Sequence, residues 1–534
     1  MVHVRPLGAL EATFLYLDTP RTPMHLGSVA IFEAGPLCDA HGRIQIEALR
    51  AHVEERIDLV PKLRRRVKFS VLGEAAPTWV DDTDFDVASH MHVVAVPEPG
   101  TMDQLAELSA QILAEPLASD FPLWELWFVE GLAGGRVGLI EKLHHSLADG
   151  LAGVELAAVL LDTTRRPVHR PPDAEPWRPE PVPSERALVA GDLAARRDRA
   201  RRGARRVVRG LTRPMTSVRA GLKVADALAT LATPRLIAPR SSINGRIGQA
   251  RRVAFVRVAL DHLVDVERAY EVTVNDVVLA AVTGGLRRLL LGRGEHLVGR
   301  ELQVLVPVSV PSAAGHEPAG HEPAGHEPAG HEPAGHEPAG HELGNNVSAM
   351  LARLPVGIED PAERLRAVGA STSRAKAHHQ ALAGEVILGV AGILPQPALA
   401  AVARVVQHQP VANLVVTNVP GPSVPLYAHG AKMLEAYPIV PLAGNLSIGV
   451  AALSYDGQMH IGLYADRDRC PDLEVLADGI RRSIEELVPE RPGGGGPGRV
   501  VVHVERQAVG DGRPRVLGRG RSAVAGSSRG GERR

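Results

Sequence analysis

"WELWFVEGLAGGRVGLIEKLHHSLADG", Trp124–Gly150, contains two runs of alternating apolar and polar residues on either side of a glycine-rich turn. That pattern predicts a β-hairpin. The second run ends in His144-His145, and Asp149 and Gly150 follow four and five residues after the second histidine. "LAGVELAAVLLD" comes next and has the composition of an apolar helix. The stretch therefore sets a tandem histidine where a strand ends and a buried helix begins.

Three chemistries could use such a pair. For a metal site, adjacent histidines on a strand point to opposite faces, and no further ligand stands at a recognisable spacing. For a nucleophilic triad, Ser146 adjoins His145 without a G-x-S-x-G elbow. The one match to that motif, "GSSRG" (Gly526–Gly530), lacks the strand-turn-helix context. The third is a general base. A neutral imidazole at a strand end can take a proton from a bound hydroxyl at neutral pH, and that hydroxyl can attack an acyl thioester. Asp149, just before the helix, could accept its N-terminal amides or pair with an arginine. Gly150 leaves room for close backbone approach. The bland alternative is two histidines that merely pack. A second pair, "HHQALAG" (His378–Gly384), has Ala383 where the aspartate would fall and reads as surface residues.

Outward from this stretch, "GSVAIFEAGP" (Gly27–Pro36) reads as a strand, and Gln45–Val67 has helical spacing of apolar residues. A Pro-rich, charged linker runs from Arg165 to Glu185, followed by the arginine-dense "ARRDRARRGARRVVRG". A second α/β segment begins near Arg251. In it, Asp456-Gly457 joins two alternating runs, a strong hairpin signal. "GHEPA" repeats from Gly315 to Ala339 between strand-like segments, and its prolines exclude a continuous helix or central strand. The repeat reads as a solvated loop. Its H-E-P-A-G-H spacing is not that of a zinc-protease motif.

Composition narrows the class. A chain of 534 residues holds more than one domain, and 45% apolar content supplies a core. Aromatics at 3% and a net charge of −1 argue against nucleic-acid binding by stacking or by a basic surface. Cys38 and Cys470 form no disulfide framework, so a reducing, cytoplasmic setting is expected. The first residues show no signal-peptide h-region. The uncharged stretch Val386–Ala403 is broken at Pro395-Gln396-Pro397. It reads as two short buried helices, with a membrane-dipping element as the alternative.

HHSLADG resembles the H-H-x-x-x-D-G signature of the CoA-dependent acyltransferase superfamily. "ATFLYLDTPRTPMHLGSVAIFE", Pro122-Leu123-Trp124, Asn275-Asp276, "VPVSV" (Val306–Val310), "LGNNVSAMLARLP" and "TNVPGP" (Thr417–Pro422) are similar to the bacterial wax ester synthase/diacylglycerol acyltransferase branch. The resemblance covers roughly residues 7–487 apart from the linker and repeat. It departs at Glu11, where the family often has aspartate, and at the GHEPA insertion.

The resemblance implies an α/β fold of two chloramphenicol-acetyltransferase-like two-layer domains with a tunnel between them. The expected layout is residues 1–164, a linker at 165–250 with a basic helix, a second domain at 251–490 with the insertion at 315–342, and a disordered tail at 491–534. It implies acyl-CoA as co-substrate, no cofactor or metal, and diacylglycerol or a long-chain alcohol as acceptor. The product would be triacylglycerol or a wax ester, made at a membrane or lipid-droplet surface. His145 matches the catalytic histidine, His144 its supporting neighbour, and Asp149 a structural residue turned toward an arginine. Asn275 could donate to an oxyanion, a contact worth ~3–4 kcal/mol. Thr273 and Asp276 also form a capping box, so Asp276 could cap a helix, serve the site, or both. Trp124 fits core or tunnel wall. Thr417 and Asn418 fit a turn or a substrate contact. Two alternatives are a condensation-type enzyme using carrier-bound acyl groups and a non-catalytic lipid-droplet protein.

Overall fold

The structure, a computed structural model, describes residues 5–71, 75–147, 161–166, 177–211, 237–309, 347–377 and 411–489, with single positions at 157, 398, 400 and 401. Asp149, Gly150, the GHEPA repeat, the second histidine pair, most of 386–403 and the tail lie outside the described residues.

The elements follow in order: β1 (Arg5–Pro6), α1 (Ala9–Leu17), β2 (His25–Glu33), α2 (Ile46–Glu54), β3 (Arg65–Lys68), β4 (Thr78–Asp81), β5 (Met91–Ala95), α3 (Met102–Ala114), β6 (Trp124–Leu132) and β7 (Arg136–His144). After them come α4 (Glu185–Leu211), β8 (Arg251–Ala259), α5 (Leu260–Tyr270), α6 (Val274–Gly292), β9 (Leu302–Ser309), β10 (Val347–Leu354) and α7 (Pro361–Ala377). The chain continues with β11 (Leu414–Pro420), β12 (Tyr427–Ala428), β13 (Ala431–Ile439), β14 (Ile448–Tyr455), β15 (Gln458–Asp466) and α8 (Leu473–Glu485).

Both hairpins read from the sequence are present. β6 and β7 pair antiparallel. Asp456 and Gly457 take φ of 44° and 75°, the left-handed pair that a two-residue turn needs to follow the strand twist. Helical spacing over 45–67 overreaches: α2 stops at Glu54, two 3-10 turns follow, and β3 begins at Arg65. Pro61 explains the break, because it holds Val60 out of the helical region at φ −132°, ψ 74°.

Two six-stranded sheets carry the fold, in the orders β12-β13-β2-β7-β6-β5 and β10-β9-β11-β14-β15-β8. Sheet membership does not follow the division of the chain at the linker. β13, from the second half, pairs antiparallel with β2, setting Ala436 against Ala30 and Ile439 against Gly27. One core lies between the second sheet and α6 and α8, and another fills the outer face of the first sheet. A third contains Val29, Ile31 and Ile140 from the first sheet, Leu105 and Leu113 from α3, and Phe255 and Tyr464 from the second sheet. This shared core joins the halves. Gly462 makes it possible, since a Cβ there would stand 2.1 Å from the Pro438 carbonyl oxygen.

The described part of the linker is docked. Arg64 stacks over the Trp177 ring at 4.3 Å, the Glu180 amide donates to Asp81 at 3.0 Å, and Glu185 accepts the Val71 amide at 3.0 Å. Among the described residues, no helix is long and apolar enough to cross a membrane. Ser309 pairs with Val347 at the open end of the β9–β10 ladder, so the two flanks of the repeat insertion meet.

Asp162 ties the segment after the histidine motif to both halves. It exchanges backbone hydrogen bonds with Tyr427 at 2.8 Å each, and its carboxylate accepts from Arg56 Nη2 at 2.9 Å. Both side chains are buried. Removing one partner leaves the other charge desolvated, which costs about 3–5 kcal/mol. Asp162→Ala should lower the unfolding free energy in urea by that amount. A loss under ~1 kcal/mol would show that the pair contributes no more than a surface ion pair does.

Candidate functional site

The tandem histidines stand where β7 ends. β2 pairs with β7 antiparallel and sets His25 opposite His144. The ladder extends one residue further, with the His145 amide donating to the Met24 carbonyl at 2.9 Å. On the other side of β7, the His144 amide donates to the Leu123 carbonyl at 3.0 Å. The Leu147 amide then closes a turn on the His144 carbonyl at 2.9 Å.

The two imidazoles have different surroundings. His144 is sealed, at 1% exposure. Its Nδ1 accepts from the Ser146 amide at 3.1 Å and lies 2.7 Å from the Ser146 hydroxyl. An amide can only donate, so Nδ1 carries a lone pair and the ring proton sits on Nε2. That nitrogen faces Asp18 Oδ2 at 3.3 Å. His145 remains partly exposed and lies flat against Phe14, with ring centroids 3.8 Å apart and planes 12° apart. Desolvation, with a smaller repulsion from His144, pulls the His145 value down to about 4. At neutral pH it is an uncharged base. His25 is held near 3, by burial first and then by Lys142. Its Nε2 bonds the Leu113 carbonyl at 2.8 Å. Lys142 is itself neutralised by Glu125 at 3.0 Å.

Asp18 and Phe14 were not among the residues singled out from the sequence. The stretch containing them resembles the start of the family, but nothing in their spacing from the histidines shows that they meet. Ser146 could be read as a nucleophile from its position. Instead it is fully buried and bonds to His144.

Pro122-Leu123-Trp124 begins β6 beside the pair. Leu123 holds the His144 amide. Trp124 belongs to the core, donating from Nε1 to the Leu63 carbonyl at 2.8 Å and stacking on His90 at 4.4 Å. Asp276 caps α6. It accepts from the Thr273 amide at 3.0 Å and hydroxyl at 2.7 Å, and its other oxygen takes the Thr372 hydroxyl of α7 at 2.6 Å. These bonds occupy both carboxylate oxygens. Asn275 is half-buried in the same first helical turn, where its amide side chain can donate. Thr417 and Asn418 lie in β11 rather than in a turn, and they point to opposite faces. Asn418 shares its face with Leu414 and Val416 of the helix-backed core, and Thr417 faces the other way. The turn begins after them, at Gly421, where a Cβ would stand 2.3 Å from the Ser454 carbonyl oxygen. Among the described residues, no group of three or more His, Cys, Asp or Glu could hold a metal ion.

Known proteins match this chain over most of its length. Residues 7–278 match the wax ester synthase/diacylglycerol acyltransferase catalytic domain, and residues 343–488 match the C-terminal domain of the same family. A Mycobacterium tuberculosis protein named as a probable diacylglycerol O-acyltransferase is 34% identical over 489 residues, covering 90% of this chain and 95% of that one. The fold is similar to that of a wax ester synthase/diacylglycerol acyltransferase from Marinobacter aquaeolei VT8. The TM-score is 0.59 at 23% identity, over 90% of this chain and 98% of that one. It is also similar to the first condensation domain of the CDA synthetase, with a TM-score of 0.53 at 15% identity over 91% and 96% of the two chains.

The different surroundings of Asn275 and Asp276 separate their roles by stability. Asp276→Ala loses the N3 half of the Thr273 capping box together with the tie to α7, and should lower the melting temperature. Asn275→Ala should leave it near wild type, within about 0.5 kcal/mol. Thermal unfolding of the two variants side by side checks this, and equal losses would contradict it.

Proposed function

The chain belongs to the wax ester synthase/diacylglycerol acyltransferase family and is an O-acyltransferase, and on that premise we propose that it moves the acyl group of acyl-CoA onto diacylglycerol to make triacylglycerol, with long-chain alcohols as further acceptors. The observation that carries this reading is His145, an uncharged and partly exposed imidazole held at the end of β7.

The steps follow from that imidazole. It accepts the proton of the acceptor hydroxyl as the oxygen attacks the thioester carbonyl. The tetrahedral oxyanion collapses and expels the thiolate of CoA. The imidazolium returns its proton to that sulfur, giving ester and free thiol. No acyl-enzyme forms. A value near 4 makes His145 a weak base before substrate binds. The negative charge developing on the oxyanion raises its basicity during the reaction. Asn275 is the proposed donor to that oxyanion, and Thr417 a proposed contact for the acyl chain. Acyl-CoA is a co-substrate, and this chemistry calls for no further cofactor.

His145→Ala should lower turnover by at least the ~10²–10⁴-fold typical of a lost general base, with the fold intact by circular dichroism. The sign of the pH dependence follows from the lowered value. The base is active when unprotonated, so kcat/KM should hold through pH 6.5 and fall only toward pH 4. An acidic limb centred near 6.5 would show that the working base is not this buried imidazole. Labelled acyl-CoA offered with both diacylglycerol and a long-chain alcohol gives the acceptor preference.

Diacylglycerol stays in a lipid phase, so the enzyme must visit a lipid surface. Helix α4 carries Arg196, Arg197, Arg199, Arg201, Arg202, Arg205, Arg206 and Arg209 against Asp192 and Asp198 in the same stretch. Each basic residue near an anionic surface contributes ~1 kcal/mol, weakened by salt. Replacing Arg201, Arg202, Arg205 and Arg206 with Gln should reduce flotation with anionic vesicles at low salt and leave activity on a detergent-dispersed acceptor. Unchanged flotation would remove α4 as the anchor.

A further inference from the structure

We propose that Phe14 and Asp18 of the first helix are positioning residues that grip the tandem histidines from one helical turn, Asp18 holding the His144 ring and Phe14 holding the His145 ring. The inference rests on His145 being the base in the proposed reaction.

The two prongs belong to one rigid piece. Phe14 and Asp18 are four residues apart, the spacing that brings side chains to one face of a helix. The Asp18 amide donates to the Phe14 carbonyl at 3.0 Å and ends α1 there. The other end of α1 is held by Glu11, which accepts the Gly8 amide at 2.8 Å and pairs with Lys62 at 3.2 Å. Beyond Asp18 the chain turns tightly: the Thr22 amide donates to the Thr19 carbonyl at 3.0 Å, and the Met24 amide reaches Asp18 Oδ1 at 3.3 Å. The next contact is the Met24 carbonyl on the His145 amide. Helix, turn and strand end thus close on one another around the histidines.

The polarity of the grip is fixed. The Ser146 amide sets the lone pair of His144 on Nδ1, which puts the ring proton on Nε2, 3.3 Å from the Asp18 Oδ2 charge. His144 then cannot rotate without losing both contacts. His145 sits inside the turn closed by the Leu147 amide on the His144 carbonyl, directly beside that ring in the chain. Phe14 covers one face of the His145 imidazole, with the ring planes 12° apart. The ring also keeps water from that face, in keeping with the desolvation that depresses the value of His145.

Among the described residues, few charges compete at this place. His144 is the titratable group that lowers His145, and Asp18 faces His144 from α1. His25 on β2 turns to α3, Lys142 on β7 is matched by Glu125 on β6, and the Glu11–Lys62 pair is at the far end of α1.

Phe14→Leu, Asp18→Leu and Asp18→Asn test the assignment. Phe14→Leu replaces the flat ring with a smaller, branched chain that opens part of the imidazole face to water and so eases its desolvation. It should lower kcat more than it changes KM, and move the acidic limb of kcat up from about 4 toward 6.5. Asp18→Leu should lower kcat on the order of 10²-fold, the scale of a misplaced reacting group. Asp18→Asn, whose single oxygen can face either His144 or the Met24 amide but not both, should recover part of it. A cap with no bearing on the histidines would shift neither the pH limb nor the balance of kcat and KM.

Hydrogen exchange at the imidazole C2 position, read by mass spectrometry against pH, follows His145 without any turnover. Its midpoint should rise in Phe14→Leu even if wild-type protein failed to transfer acyl groups. That keeps failure of this inference apart from failure of the proposed reaction. If Asp18→Leu does not fold, the Phe14→Leu measurement decides alone. A folded Phe14→Leu with an unmoved His145 midpoint and unchanged kcat would overturn the proposal.

Discussion

The register of β2 against β7 is the constraint on which the site depends. It sets His25 opposite His144 and the Met24 carbonyl on the His145 amide. Side chains alternate along a strand, so a slip of one residue would exchange the faces of the two imidazoles. His145 would then be sealed and His144 brought into the open. The cores on the two faces of the first sheet oppose such a slip. Val137 and Leu143 pack on one side and Ile140 on the other, all nearly inaccessible. Loss of register would expose each of them, at ~1.5–3 kcal/mol per fully buried aliphatic side chain. Apolar packing spread along the strand thus specifies which histidine is reachable.

The same sheet cannot be completed by the first half of the chain alone. β13 supplies the partner for β2, and its other face meets the second sheet. The shared core then has no polar seam to separate along, although it encloses polar groups. Arg257 of β8 donates to Glu435 of β13 at 2.6 Å, and Tyr437 donates to the same carboxylate at 2.5 Å. The Arg257–Glu435 pair crosses from one sheet to the other, so movement of one sheet against the other would strand a buried charge.

What the sequence revealed and what it hid divide by distance along the chain. The β6–β7 and β14–β15 hairpins and the Thr273–Asp276 capping box depend on residues a few positions apart, and local pattern shows them. The histidine pair was legible because its spacing to Asp149 and Gly150 is itself local. The end of α2 at Glu54 was missed because apolar periodicity continues through Pro61 and hides the break. The passage of β13 into the first sheet depends on residues some four hundred positions from β2, and alternation in β13 says nothing about which edge it joins. Asp18 is hidden for a similar reason. An acidic residue before a proline reads as a helix stop, and only the folded chain turns its free oxygen toward His144. Trp124 could be weighed as core or tunnel wall, and the choice came from Leu63 and His90, neither of them near it in sequence.

The GHEPA insertion illustrates why a long sequence irregularity can leave a fold intact. Among the described residues, β10 is the edge strand of its sheet and pairs only with β9, from Leu302↔Leu354 to Ser309↔Val347. The insertion enters and leaves at the open end of that ladder. Closing a loop costs entropy that grows with the logarithm of its length, about 0.6 kcal/mol for each doubling. Met350, Ala352 and Leu354 bury their side chains against the helix-backed core, and that burial does not depend on the length of the connection. Placed between two central strands, such an insertion would also have to cross a covered face. At an edge it needs only to leave the flanking pairs in register, and the pairing of Ser309 with Val347 does so.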